Sequence, residues 1–120
     1  MSISVHVVDC THGRAAAHVA VRLSVDRGGV WQEQARGRTD ASGRAGAWQS
    51  QVGLHQIECD LDGYFAGLGV VPFYPSVSVV FRVSDVNAAY RIPLLITPHG
   101  YGTFREWQSA PADGLADWRL

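Results

Sequence analysis

Apolar residues recur at every second position through much of this chain, the period of half-buried β-strands. Residues 3–9 alternate, with Val5 and Val7 on one face and Ser4, His6 and Val8 on the other. Residues 19–25 repeat the pattern, with Val19, Val21, Leu23 and Val25 inward and Arg22 and Ser24 outward. Asp26-Arg27-Gly28-Gly29 predicts a hairpin turn, after which a mostly polar strand returns over 30–36. The loop at 38–44 contains Asp40-Ala41-Ser42-Gly43, which supplies side-chain caps and a position free to take positive φ. Short strands are expected at 45–48 and 54–61. In the second, Leu54, Gln56, Glu58 and Asp60 oppose His55, Ile57, Cys59 and Leu61. Residues 62–68 are the one plausible helix, capped by Asp62 and weakened by two glycines. Residues 77–83 read as the strongest strand. Residues 90–107 read as a strand, a turn at 98–102 and a last strand.

Seven or eight short strands at this spacing predict an all-β sandwich, in one domain covering 1–108. After Gln108 the composition turns linker-like, so 109–120 is expected to be a C-terminal extension, with Leu115, Trp118 and Leu120 able to dock as a lid or on a neighbouring subunit.

Composition narrows the function. The 120 residues suffice for one modest core. Only 18% are charged, below the usual quarter, as expected where surface is covered in an oligomer. The net charge of −1, with no basic run, argues against a nucleic-acid partner. All ten basic residues are arginine, which excludes a catalytic lysine. Cys10 and Cys59 lack metal-ligand spacing and read as buried thiols rather than a disulfide. No run is long enough to span a membrane and no leader pattern opens the chain, so a cytoplasmic location is expected. No cofactor and no metal is implied.

Four motifs stand in order along the chain. Ser4-Val5-His6-Val7-Val8-Asp9 precedes Thr11-His12-Gly13-Arg14, and Thr39-Asp40 precedes Gly43-Arg44. Gly63-Tyr64-Phe65-Ala66 leads to Phe73-Tyr74-Pro75, and Pro93-Leu94-Leu95 leads to Gly100-Tyr101 with Thr103. Together they resemble the 5-hydroxyisourate hydrolases, the transthyretin-like proteins of purine breakdown, over residues 3–105. The resemblance implies a transthyretin-like sandwich of two four-stranded sheets with one short helix. It also implies a homotetramer whose active sites open into a central channel.

The resemblance assigns site residues as well. The family's first-strand histidine corresponds to His6, and its arginine after the Asp-x-x-Gly loop to Arg44. Its second histidine, on the penultimate strand, corresponds to Arg91. Of its terminal Tyr-Arg-Gly-Ser, only the arginine survives, within Phe104-Arg105-Glu106-Trp107. Expected catalytic residues are therefore His6, Arg44 and Arg91, with Trp107, Arg105 and His99 as substrate-binding candidates. Ring opening by water needs a base near neutral pKa and a cation for developing negative charge. Arg91 cannot shuttle protons, because guanidinium stays charged. The implied function is a hydroxyisourate-hydrolase-like enzyme acting on 5-hydroxyisourate or a related heterocycle, by ring-opening hydrolysis or by proton-transfer cyclisation or isomerisation. The alternative is a non-catalytic small-molecule binder of the transthyretin type.

Overall fold

The alternation of the first strand sets the inside and outside of the whole domain. In the computed structural model, which describes residues 2–106, β1 (Ser2–Asp9) buries Ile3, Val5, Val7 and Asp9 and turns Ser2, Ser4, His6 and Val8 outward. The remaining elements are β2 (Arg14–Ala15), β3 (Ala20–Arg27), β4 (Val30–Arg38), β5 (Arg44–Gln49), β6 (Gly53–Asp60), α1 (Leu61–Ala66), β7 (Ser76–Val83), β8 (Ala89–Ile96) and β9 (Tyr101–Thr103). Two sheets form. The first runs β2-β1-β8-β9, with β5 also paired to β1, and the second runs β4-β3-β6-β7.

The core lies between the two inner faces. Ile3, Val5, Val7, Ile92, Leu94 and Ile96 of the first sheet meet Val21, Leu23, Ile57, Cys59, Val77 and Val83 of the second. Leu61 and Phe65 of α1 join the same cluster. The β3–β4 hairpin closes through Gly28 and Gly29, both at positive φ, as a two-residue turn of that hand requires.

Four details differ from the sequence reading. The helix starts at Leu61 and its cap is Asp60, whose carboxylate accepts the N–H of Gly63 at 3.1 Å. Asp62 instead sits in the first turn, where a negative charge meets the helix dipole favourably. The last hairpin turns at 97–100, because Thr97 accepts the N–H groups of His99 and Gly100 on its Oγ1. The pattern predicts no strand at 14–15, yet these two residues form a short one on β1. Of the two cysteines, both free, Cys59 is buried as expected but Cys10 is exposed. The extension 109–120 lies outside the described residues.

Candidate functional site

Three strands bring the sequence-predicted catalytic residues together. β1 is flanked by β5 on one side and by β8 on the other. His6 is directly opposite Arg44 in the antiparallel β1–β5 pair. In the parallel β1–β8 pair, Ser4 is opposite Arg91 and His6 is opposite Pro93. Paired residues share a face, so His6, Arg44 and Arg91 all stand on the outer face of the first sheet. His6 is half-buried, while both arginines are exposed.

The position of Arg44 is built by the loop before it. Asp40 Oδ1 accepts the N–H of Ser42 at 2.9 Å, its hydroxyl at 2.7 Å and the N–H of Arg44 at 3.0 Å. The Ser42 hydroxyl first, and then the Arg44 N–H, hold the Asp40 carboxyl below its usual range. The loop closes on Gly43, at φ +80°, whose carbonyl accepts the N–H of Val7 at 2.7 Å. A Cβ at Gly43 would run into the carbonyl oxygen of Val7. Glycine is therefore required twice over here, by dihedral and by space.

Arg91 is placed by its neighbours. Tyr90 and Ile92 point inward and are buried. Tyr90 Oη also accepts the N–H groups of Ser84 and Asp85 at 3.2 and 3.1 Å. Parity then turns Arg91 outward. Pro93, which has no N–H to offer, falls just before β9 begins to pair at Leu94. The hydroxyl of Thr103 donates to its carbonyl at 2.7 Å.

The substrate-binding candidates are not all gathered at this place. His99 is exposed in the β8–β9 turn, three residues past the end of β8 and beyond the strand positions that pair with β1. Arg105 is exposed just after β9. Trp107 lies outside the described residues.

Sequence reasoning missed a polar cluster at the end of β1. Asp9 is fully buried, and its carboxylate accepts four hydrogen bonds. Oδ1 takes the N–H groups of Thr11 and His12 at 3.0 and 3.1 Å, and Oδ2 takes His12 Nδ1 and Tyr64 Oη, both at 2.7 Å. Burial alone would raise the pKa of Asp9, but the bonds from Tyr64 and His12 outweigh it and hold the carboxyl below its usual range. Burial and the same carboxylate push the Tyr64 phenol up. The cluster ties α1 to β1 and absorbs His12 into the fold.

His55 is also buried. Its Nδ1 faces the carbonyl of Gly53 at 3.2 Å and so carries the proton, while Nε2 has no protein partner among the described residues. Burial is the main cause that pushes its pKa down. Burial also pushes the Cys59 thiol up to about 12, so that cysteine is inert as a nucleophile.

A cavity of about 450 Å³ lies on the second sheet, lined by Arg22, Arg36, Arg38 and Glu58 among others. It contains none of the predicted site residues. Its arginines are already engaged: Arg22 with Glu58 at 2.6 Å, Arg36 with Glu33 at 3.0 Å, and Arg38 with the carbonyl of His18 at 3.1 Å. Among the described residues, no group of three His, Cys, Asp or Glu side chains is placed to hold a metal. No helix there is long and apolar enough to cross a membrane.

Comparison with known proteins decides the family. The model of the HIUase/Transthyretin family matches residues 3–106. The chain belongs to that family. His6, Arg44 and Arg91 all fall within the matched stretch, and Trp107 falls one residue beyond it. A 5-hydroxyisourate hydrolase of Caulobacter vibrioides is 34% identical over 110 residues, covering 86% of this chain and 96% of that protein. Another from Salmonella typhimurium is 32% identical over 107 residues, covering 86% and 79%. Among solved structures, sea bream transthyretin in complex with thyroxine aligns with a TM-score of 0.84 at 28% identity, covering 92% of this chain and 99% of that one. The 5-hydroxyisourate hydrolase of Klebsiella pneumoniae aligns at 0.77 and 25% identity, covering 89% and 100%. The transthyretin-like sandwich expected from the motifs is therefore the fold of this chain, and its curated relatives include hydrolases.

Proposed function

We propose that the protein is a hydroxyisourate-hydrolase-like enzyme whose site is the outer face of the first sheet around His6, Arg44 and Arg91. The cross-strand pairing of His6 with Arg44 carries this reading, in a chain whose relatives include 5-hydroxyisourate hydrolases. The substrate is 5-hydroxyisourate or a related electron-poor ring. His6 takes a proton from water as the water oxygen bonds to a ring carbonyl carbon, and Arg44 stabilises the oxyanion that develops. The ring C–N bond then breaks, and protonated His6 returns its proton to the departing nitrogen. Arg91 binds charge without moving protons.

The site works in a homotetramer, where neighbouring chains enclose a face that is open in one chain. Unpaired strand edges support assembly: β7 ends the second sheet and β9 the first. So do the exposed Phe73, Tyr74 and Tyr101, with Tyr74 in edge contact with both Phe73 and Tyr101.

The test is the decay of freshly generated 5-hydroxyisourate, followed by absorbance with and without protein. Acceleration is expected, with a loss of about 10²–10⁴-fold in His6→Ala. No acceleration by folded protein rejects hydrolysis of that ring. A second reading, a non-catalytic binder, is favoured by one observation: Arg91 stands where the resemblance expects a second histidine. It predicts tight binding of a planar ligand with no turnover of any ring.

A further inference from the structure

The outer face of the second sheet carries acids beside its arginines, and that of the first sheet does not. On the second sheet, Arg22 and Arg36 are met by Glu58 and Glu33 within the same chain. On the first sheet, the strand positions sharing the face of His6 carry Ser2, Ser4, Val8, Ala89, Pro93 and Leu95, and no acid. The carboxylate close enough to influence Arg44 is Asp40, already committed to Ser42 and to the Arg44 backbone. Beyond β9, Arg105 and Glu106 cancel in sign. Arg91 has no described side chain of opposite charge in hydrogen-bond or ion-pair contact. This face therefore presents two fixed positive charges and half-buried His6, with no counter-charge supplied by its own strands.

The spacing is that of a small ligand. Arg44 and Arg91 sit two strands apart and one two-residue step out of register, which puts their Cα atoms about 12 Å apart. Ser4 and His6 of β1 lie between them. One guanidinium suffices for the oxyanion formed during ring opening. The second has no role in proton transfer, and its planar fork of donors matches an oxyanion with two oxygens.

We propose that Arg91 is a specificity-determining residue, and that the ligand is a planar heterocycle bearing its own oxyanion substituent, a carboxylate in the simplest case. Arg91 takes that substituent while His6 and Arg44 address the ring. This rests on the site proposed above, and it separates the ligand of this chain from rings without such a group.

The experiment compares uracil with orotate, the same ring with and without a carboxylate, by calorimetric titration of the full chain at neutral pH. Uridine and uridine 5′-phosphate form a second pair in which the oxyanion is a phosphate. Orotate is expected to bind about 10–100-fold more tightly than uracil, the scale of one charge-assisted bidentate contact. Arg91→Ala and Arg91→His should bring the ratio near one, and Arg91→Lys should keep part of it. Because Arg91 is exposed, the urea midpoint of these variants should match the parent. His6→Ala should lower 5-hydroxyisourate turnover and leave the ratio intact. Preference for the nucleotide over uridine, also lost with Arg91, would support the oxyanion with phosphate as its source.

Equal binding of both members of each pair, no binding of any of them, or a preference that survives Arg91→Ala overturns the proposal. Accelerated 5-hydroxyisourate decay with equal binding would discard Arg91 alone and keep the hydrolase reading. The converse result would keep an oxyanion site and discard that reaction.

Discussion

Tyr64→Phe isolates the energetics of the buried Asp9 cluster, because it removes one oxygen and leaves the ring. Tyr64 Oη donates to Asp9 Oδ2 at 2.7 Å, and Asp9 is fully buried. The variant leaves the carboxylate with three donors instead of four. A hydrogen bond to a charged group contributes about 1.5–3 kcal/mol, and burial of the acceptor limits rescue by water. Helix α1 has six residues and is far too short to persist without tertiary support, so its contact with β1 weakens as well. A deficit of about 2 kcal/mol lowers the urea midpoint by about 1–2 M at a slope of about 1–2 kcal/mol per M. The slope itself should not change. Protein concentration must be held fixed, since an oligomer gains stability with concentration. The pH dependence follows from the direction of the Asp9 shift. Its folded pKa lies below the unfolded value of 3.8. Its carboxylate therefore contributes fully above that pH, and the contribution is lost as pH falls through the folded value. The gap between parent and Tyr64→Phe should be complete at pH 7 and shrink below 3.8. A deficit under about 0.5 kcal/mol, or one that persists undiminished in acid, refutes the reasoning.

His55 gives the same direction in a higher window. Its folded pKa is pushed down, mainly by burial, so neutral His55 contributes stability above the unfolded value of 6.5, and this is lost as pH falls below it. The cost is at most about 1.4 kcal/mol per pH unit, and thermal melts of His55→Leu should show a flatter profile from pH 6.5 to 5. Gly43→Ala should cost about 1–3 kcal/mol from positive φ and its clash with the Val7 carbonyl. Because the same loop sets Arg44, turnover should fall even where urea titration shows the variant folded.

The period-two pattern carried most of the architecture, since a residue's parity on a strand depends only on its immediate neighbours. It put Val5 and Val7 on one face of β1 and His6 on the other, and the first of these is the buried one. The helix cap was harder. Leu61 continues the alternation of β6, yet it is the first helical residue, so the cap moves to Asp60. Pairing of strands was not legible from pattern at all. His6 meets Arg44 and lies near Arg91 across 38 and 85 positions of chain respectively, and only the family motifs connected them. The Asp9 cluster had one available signal: Asp9 shares the inward parity of Ile3, Val5 and Val7. A carboxylate on the inward face must find donors or be protonated, and that alone marks it for a structural partner such as Tyr64.

Parity also explains how the chemistry of this face can change while the fold stays. Tyr90 and Ile92 point inward and carry the packing of β8, and the phenol of Tyr90 holds the preceding turn. Arg91 between them carries none of it. The same holds on β1, where Ile3, Val5 and Val7 belong to the core and Ser4 and His6 do not. An outward position can exchange an imidazole for a guanidinium with no cavity and no overpacking, because neither group enters the space between the sheets. What changes is the field over the face. A neutral imidazole adds no net charge, whereas a guanidinium adds a permanent one that no acid on these strands offsets. Under the proposal above, a ligand with its own oxyanion supplies the balancing charge that the described strands of this face do not.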